Sequence, residues 1–172
     1  MKIFSLLLFL SLSLMAEKTE WFVGLEGGTA GVKYAENVND IDRKFGLQYG
    51  LKVGLVNELS RIYIGYSQSN NNSNKNSSSQ SGYLSLEGVG EEFQVFSKST
   101  AKVFLGVHLG GNSATLQGER KEAFMGGVQI GLIFLLPANF EIETAYRHQW
   151  TYNDTLTNFN TVNPYLALNY KF

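Results

Sequence analysis

The sequence predicts an all-β fold: an eight-stranded antiparallel up-and-down transmembrane β-barrel, preceded by a cleaved N-terminal signal peptide. Three observations carry this reading. Residues Val162 to Phe172 alternate apolar with small or polar side chains and stop on an aromatic residue. The first sixteen residues have the form of a secretion signal. Period-two alternation recurs through the chain between them, with glycine crowding one of the two faces.

The N-terminal segment comes first. Lys2 supplies a short positive region, Ile3 to Leu14 an apolar run broken only by serines, and Leu14-Met15-Ala16 a small residue at the cleavage point. The run is shorter than the roughly 20 apolar residues that a spanning helix needs. Signal peptide 1–16 and barrel domain 17–172 are therefore the expected division, leaving 172 − 16 = 156 residues, enough for one domain. The chain has no cysteine, which excludes a lipoprotein anchor, a disulfide and thiolate chemistry. Its net charge of −1 offers no basic footprint, so no nucleic-acid partner is expected.

The strands follow in order. Trp21 to Lys33 alternates weakly. Phe45, Leu47, Tyr49, Leu51, Val53 and Leu55 alternate cleanly with Gly46, Gln48, Gly50, Lys52 and Gly54. Arg61 to Gln68 is again weaker. In the segment 82–96, Leu84 and Leu86 set one phase and Val89, Phe93 and Val95 the other, which a bulge at Gly88 and Gly90 would reconcile. Ala101 to Leu109 opposes Lys102, Phe104, Gly106, His108 and Gly110, and Phe124 to Phe134 opposes Gly127, Gln129 and Gly131. Phe140, Ile142 and Tyr146 alternate with Glu141, Glu143, Ala145 and Arg147. The tail Val162–Phe172 is the eighth strand, expected to pair with Trp21–Lys33.

Connections alternate in length. Short ones are read at Asn57–Ser60, Ser97–Thr100 and Leu135–Asn139, and long polar ones at Ala35–Lys44, Ser69–Ser81, Gly111–Glu122 and Thr151–Thr161. A meander with every second loop long puts the long loops at one end, as in membrane barrels.

A soluble eight-stranded barrel would show the same alternation, so composition must decide which face is inside. Lys, Glu and Thr should dominate a solvent face. The polar face instead carries Gly24, Gly46, Gly50, Gly54, Gly106, Gly110, Gly127 and Gly131, as a narrow lumen requires. Between them stand Glu26, Lys52, Glu87, Lys102, His108, Glu141, Glu143 and Arg147, read as a lumen charge network. Aromatics gather near the strand ends. Tyr34, Phe45 and Trp150, with Tyr66, Tyr83, Phe124 and Tyr152, fall at the long-loop end; Trp21, Phe134 and Phe140 fall at the other, giving two girdles.

The Tyr-x-Phe ending, with Leu166, Leu168, Tyr170 and Phe172 on one face, resembles the carboxy-terminal signature that outer-membrane proteins present to the barrel-assembly machinery. Gly88 to Phe96, followed by Val103 to Gly110, is similar to small porin-like barrels of the OmpX, opacity and OmpA-transmembrane type. The resemblance covers essentially the whole chain after residue 16, but in patterns rather than fixed residues. It implies a Gram-negative outer-membrane location. It also implies contact with outer-membrane lipid and lipopolysaccharide, and the assembly machinery as a partner in biogenesis. A monomer is expected, with no second domain after Phe172. It does not imply one activity.

Candidate chemistry is sparse. His108 faces inward, either as a titrating group or as a hydrogen-bonded packing residue. His148 lies beside Arg147 and Trp150 near the external rim, where small lipid A-modifying barrels place a His with Ser. No Ser lies within two residues of it, and no nucleophile–base pair is evident. No cluster has metal-ligand spacing, so no cofactor, metal or enzymatic activity is expected. The tract Ser69–Ser81 is nearly uncharged and low in complexity, a solvated or adhesive tip. Three functions follow in descending order: a structural or surface-interaction barrel, a narrow channel for small solutes, and a lipid A-modifying enzyme.

Overall fold

The computed structural model describes residues 18–35, 41–71, 78–96, 99–116, 119–152 and 160–172. Residues 1–16, read above as the signal peptide, lie outside them. Eight strands make up the fold: β1 (Glu20–Ala35), β2 (Ile41–Val56), β3 (Ser60–Asn71), β4 (Ser78–Phe96), β5 (Ser99–Leu116), β6 (Glu119–Leu135), β7 (Phe140–Tyr152) and β8 (Asn160–Lys171). Each strand pairs antiparallel with its sequence neighbour, and β8 returns to β1, so the sheet closes with no free edge. At the seam, Trp21 and Phe172 exchange backbone bonds of 3.2 and 2.9 Å.

Leu25, Leu51, Ile64, Leu84, Leu105, Ile130 and Leu166 all point outward and are largely exposed. Charged and polar side chains are enclosed instead, Glu87, Glu143, Arg147 and Asn169 completely so. This inversion of the usual burial order suits a barrel bathed in lipid.

Local chemistry sets the turns at the short-loop end. Asn57 Oδ1 accepts from the backbone N–H of Leu59 at 3.0 Å and of Ser60 at 2.8 Å, and so fixes the β2–β3 reversal. Between β6 and β7, Ala138 (φ 60°) and Asn139 (φ 64°) are both left-handed, as a tight hairpin demands. Asn tolerates that conformation, whereas Ala meets its own carbonyl there. Ala138→Gly is therefore expected to raise stability by about 0.5–1 kcal/mol, read as a shifted urea midpoint in micelles.

Two irregularities have physical causes. The β4–β5 ladder shifts register between Val89 and Glu92, so Val89 faces inward while Phe93 faces out. The bulge therefore lies beside Gly90, and a second shift follows between Gln94 and Phe96. The β1–β8 ladder runs to Gly28↔Tyr165 and resumes at Gly31↔Val162. The break flanks Pro164, which has no N–H to give.

The strands are longer than alternation suggests. β5 continues to Leu116 and β6 begins at Glu119, so most of the segment read as a long loop at Gly111–Glu122 is paired strand. The tract Ser69–Ser81 likewise gives Ser69–Asn71 to β3 and Ser78–Ser81 to β4. Polar residues face both sides of these extensions, which erases the hydrophobic period without breaking the ladder.

Candidate functional site

Alternation turns every second residue of each strand into a narrow lumen, and the side chains found there form one connected polar network. At its lower centre is Glu143 of β7. It accepts from Lys52 Nζ (2.7 Å), Arg61 Nη1 (3.0 Å), the Tyr165 hydroxyl (2.7 Å) and Asn169 Nδ2 (3.1 Å). The four partners come from three other strands, β2, β3 and β8.

Arg147, two inward positions further along β7, forms the second centre. Its Nη1 and Nη2 grip the two carboxylate oxygens of Glu26, each at 3.1 Å, and its Nε donates to Gln129 Oε1 at 2.8 Å. The guanidinium is sandwiched between the rings of Tyr83 (4.6 Å) and Tyr165 (4.5 Å). A planar, forked cation suits this slot; an ammonium would lose both the fork and the stacking.

Glu87 of β4 is the third. It accepts from the Tyr63 hydroxyl at 2.7 Å and Gln129 Nε2 at 2.6 Å, and pairs with Arg61 Nε at 3.3 Å. Arg61 thus bridges Glu87 and Glu143, and it also packs against the rings of Phe22 (5.7 Å) and Phe104 (5.4 Å). Three carboxylates (Glu26, Glu87, Glu143) and three cations (Lys52, Arg61, Arg147) give −3 + 3 = 0. Neutrality matters because an uncompensated charge in this enclosure would keep the full desolvation penalty.

The lumen glycines explain how such large groups fit. Tyr63 lies over Gly54, the Tyr83 ring over Gly65, and Lys52 with Asn169 over Gly24. A Cβ on Gly106 would stand 2.7 Å from Glu87 Cγ and 3.3 Å from Gln129 Cγ. Tyr63, Tyr83, Lys52, Asn169 and Glu87 thus each rest on a glycine of an adjoining strand.

The residues singled out from sequence fall into three sets. Glu26, Lys52, Glu87, Glu143 and Arg147 are buried together in the network. Glu141 stands at the short-turn mouth, paired with Lys171 at 3.1 Å. Lys102 is corrected: it is half-buried at the same mouth, opposite Glu92, and takes no part in the buried network. Phe104, the next inward residue of β5, fills the lumen above it. His108 is buried over Gly127 with its ring 5.7 Å from Tyr83, and neither nitrogen has a hydrogen-bond partner among the described residues. It is packed rather than hydrogen-bonded.

Outside, Leu166, Leu168, Tyr170 and Phe172 line up on the outer face of the seam, with Phe140 5.0 Å from Tyr170. Trp21 and Phe134 lie at the same end, and Trp150 lies at the other, its ring 4.8 Å from that of His148 and tilted 36° to it. The side chains of Tyr34 and Phe45 fall outside the described residues. Tyr83, grouped by sequence with the aromatics of the upper strand ends, points inward instead, because it shares the phase of Ser85 and Glu87.

Sequence reasoning missed Arg61, Tyr63, Gln129, Tyr165 and Asn169 as network members. The available signal was phase: Arg61 and Tyr63 alternate with the outward Ile62, Ile64 and Tyr66.

A closed eight-stranded barrel with an apolar exterior and a neutralised polar interior is the architecture of small transmembrane β-barrels. Solved structures agree at the level of the fold. Neisserial surface protein A superposes with a TM-score of 0.67 at 15% identity, covering 91% of this chain and 100% of that one. Outer membrane protein H of P. aeruginosa, solved in micelles, gives 0.58 at 22% identity, covering 89% and 99%. No protein-family model matches the chain, and no curated protein matches it significantly.

Proposed function

We propose that the protein is an integral outer-membrane barrel whose work is structural and at the surface, with a lumen sealed against solutes. The single observation carrying this is the net-neutral network of Glu26, Lys52, Arg61, Glu87, Glu143 and Arg147, which crosses the barrel from wall to wall. Charges so tightly paired present a plug to a passing ion. The closed sheet has no edge strand to template a partner, which favours a monomer. The outward Leu166, Leu168, Tyr170 and Phe172 support a role for this strand as the assembly signal. Trp21, Phe134, Phe140 and Trp150 support anchoring at the two membrane interfaces. The long-loop end is the surface offered to lipopolysaccharide and external ligands.

Among the described residues His108 meets Tyr83 and His148 meets Trp150, an arrangement with no activated nucleophile. Reconstituted into planar bilayers, the protein is expected to give no steady conductance. Stable, reproducible single-barrel pores would replace this reading with the narrow-channel one.

A further inference from the structure

Two kinds of glycine occur in this barrel. Those of the lumen are enforced by the bulky groups resting on them, as shown above. Gly82 and Gly111 are different. A Cβ on Gly82 would meet nothing within 4 Å, and one on Gly111 only a carbonyl oxygen at 4.0 Å. Barrel packing does not require glycine at either position, and glycine weakens a strand.

The register places these two side by side on the outer face. Tyr66, Gly82, Gly111 and Phe124 are successive cross-strand partners on β3, β4, β5 and β6. The row below is Ile64, Leu84 and Leu109; the row above is Gln80, Ser113 and Glu122. The glycines therefore stand at the height where aliphatic surface gives way to polar surface. They leave a groove of about 630 Å³ walled by Tyr66 and Phe124. Three strand spacings make it about 14 Å wide. Arg120 closes the upper rim, donating to Ser113 at 2.9 Å and paired with Glu122 at 3.1 Å.

We infer that this groove holds one acyl chain of an outer-leaflet lipid, whose phosphorylated headgroup reaches Arg120. The inference rests on the membrane reading above and gives it a site. The chemistry fits an amphiphile in both halves. An apolar slot continuous with the lipid-facing surface opens below a rim of hydrogen-bonding groups and one guanidinium, a good phosphate partner. Glu122 tempers the charge of that rim. The headgroup must displace it from Arg120 or share the guanidinium with it.

The test uses protein purified in detergent and incubated with synthetic phosphatidylglycerol, with retained lipid counted by native mass spectrometry. The wild type is expected to keep one lipid. The double variant Gly82→Leu, Gly111→Leu, whose added Cβ atoms meet nothing closer than 4.0 Å, fills the slot and should retain about tenfold less. Arg120→Gln should erase the preference for phosphatidylglycerol over an uncharged diacylglycerol. If the double variant fails to fold, Gly111→Leu alone serves the same comparison. Equal retention by wild type and variant overturns the inference, as does a wild-type mass of two chains, which would assign the groove to a second copy. Insertion into phosphatidylcholine vesicles is measured in parallel. Failure of the wild type to insert would sink the membrane reading itself, whereas normal insertion with unchanged lipid retention sinks only the groove.

Discussion

Glu143→Gln is expected to destabilise the barrel by about 3–5 kcal/mol, the scale for breaking a buried ion pair from one side. The glutamine keeps the shape but not the charge. Lys52 and Arg61 both donate to the same oxygen, at 2.7 and 3.0 Å, and both side chains are fully enclosed. Removing the carboxylate changes the network sum from 0 to +1 among side chains that are almost completely buried. Urea unfolding of the folded protein in micelles measures this directly. Lys52→Met combined with Glu143→Gln restores neutrality and should recover part of the loss. If the double variant is no more stable than Glu143→Gln, charge balance is not what holds the interior together.

Gly54→Val is the second large effect, expected at about 3 kcal/mol or as failure to fold, through overpacking rather than charge. A Cβ there would collide with the Ile62 carbonyl and the Tyr63 Cβ, and would stand 2.6 Å from Tyr63 Cα. Backbone cannot yield locally without breaking the β2–β3 ladder. Tyr63 would also lose its hold on Glu87, now 2.7 Å from its hydroxyl. Heat-modifiable gel migration reports the folded fraction. Gly82→Leu, on the outer face, should migrate like wild type, so the pair of substitutions separates enforced from unenforced glycines. Normal folding of Gly54→Val would mean that the lumen is looser than these contacts imply.

Much of the architecture was legible because one physical constraint repeats. A strand with lipid on one side and a narrow lumen on the other alternates over its whole membrane-crossing length. Leu47–Leu55 shows this at every step, and Phe124–Phe134 shows it apart from the inward Met125 and Ile133. Where the constraint lapses, so does the signal. Asn112 to Leu116 and Glu119 to Ala123 pair in regular register, yet polar residues on both faces leave nothing periodic to read. The interior was legible as a set of inward charges but not as a wiring diagram. Arg61 sits next to the Asn57–Ser60 turn, where an arginine ordinarily reaches solvent. Tyr63, Tyr83 and Tyr165 are compatible with either face by composition, and only their phase against Ile64, Leu84 and Leu166 reveals their direction. Which cation meets which carboxylate depends on strands on opposite walls, and no local pattern carries that.

The pairings in the interior are also extremely distant along the chain. Glu26 meets Arg147 across 121 residues, Lys52 meets Glu143 across 91, and Arg61 meets Glu143 across 82. Arg61 has a nearby partner in Glu87, but the ion-pair partners of Glu26 and Lys52 lie on β7. A nascent β1–β3 sheet would have to hold Glu26 and Lys52 unmatched at the core of the structure until the chain is nearly complete. Neutralisation and ring closure thus become one late event, and the long-range loop closure makes that event slow. The interior would thus act as a check on completeness: a barrel missing its final hairpin is expected to leave Glu26 and Lys52 without their ion-pair partners.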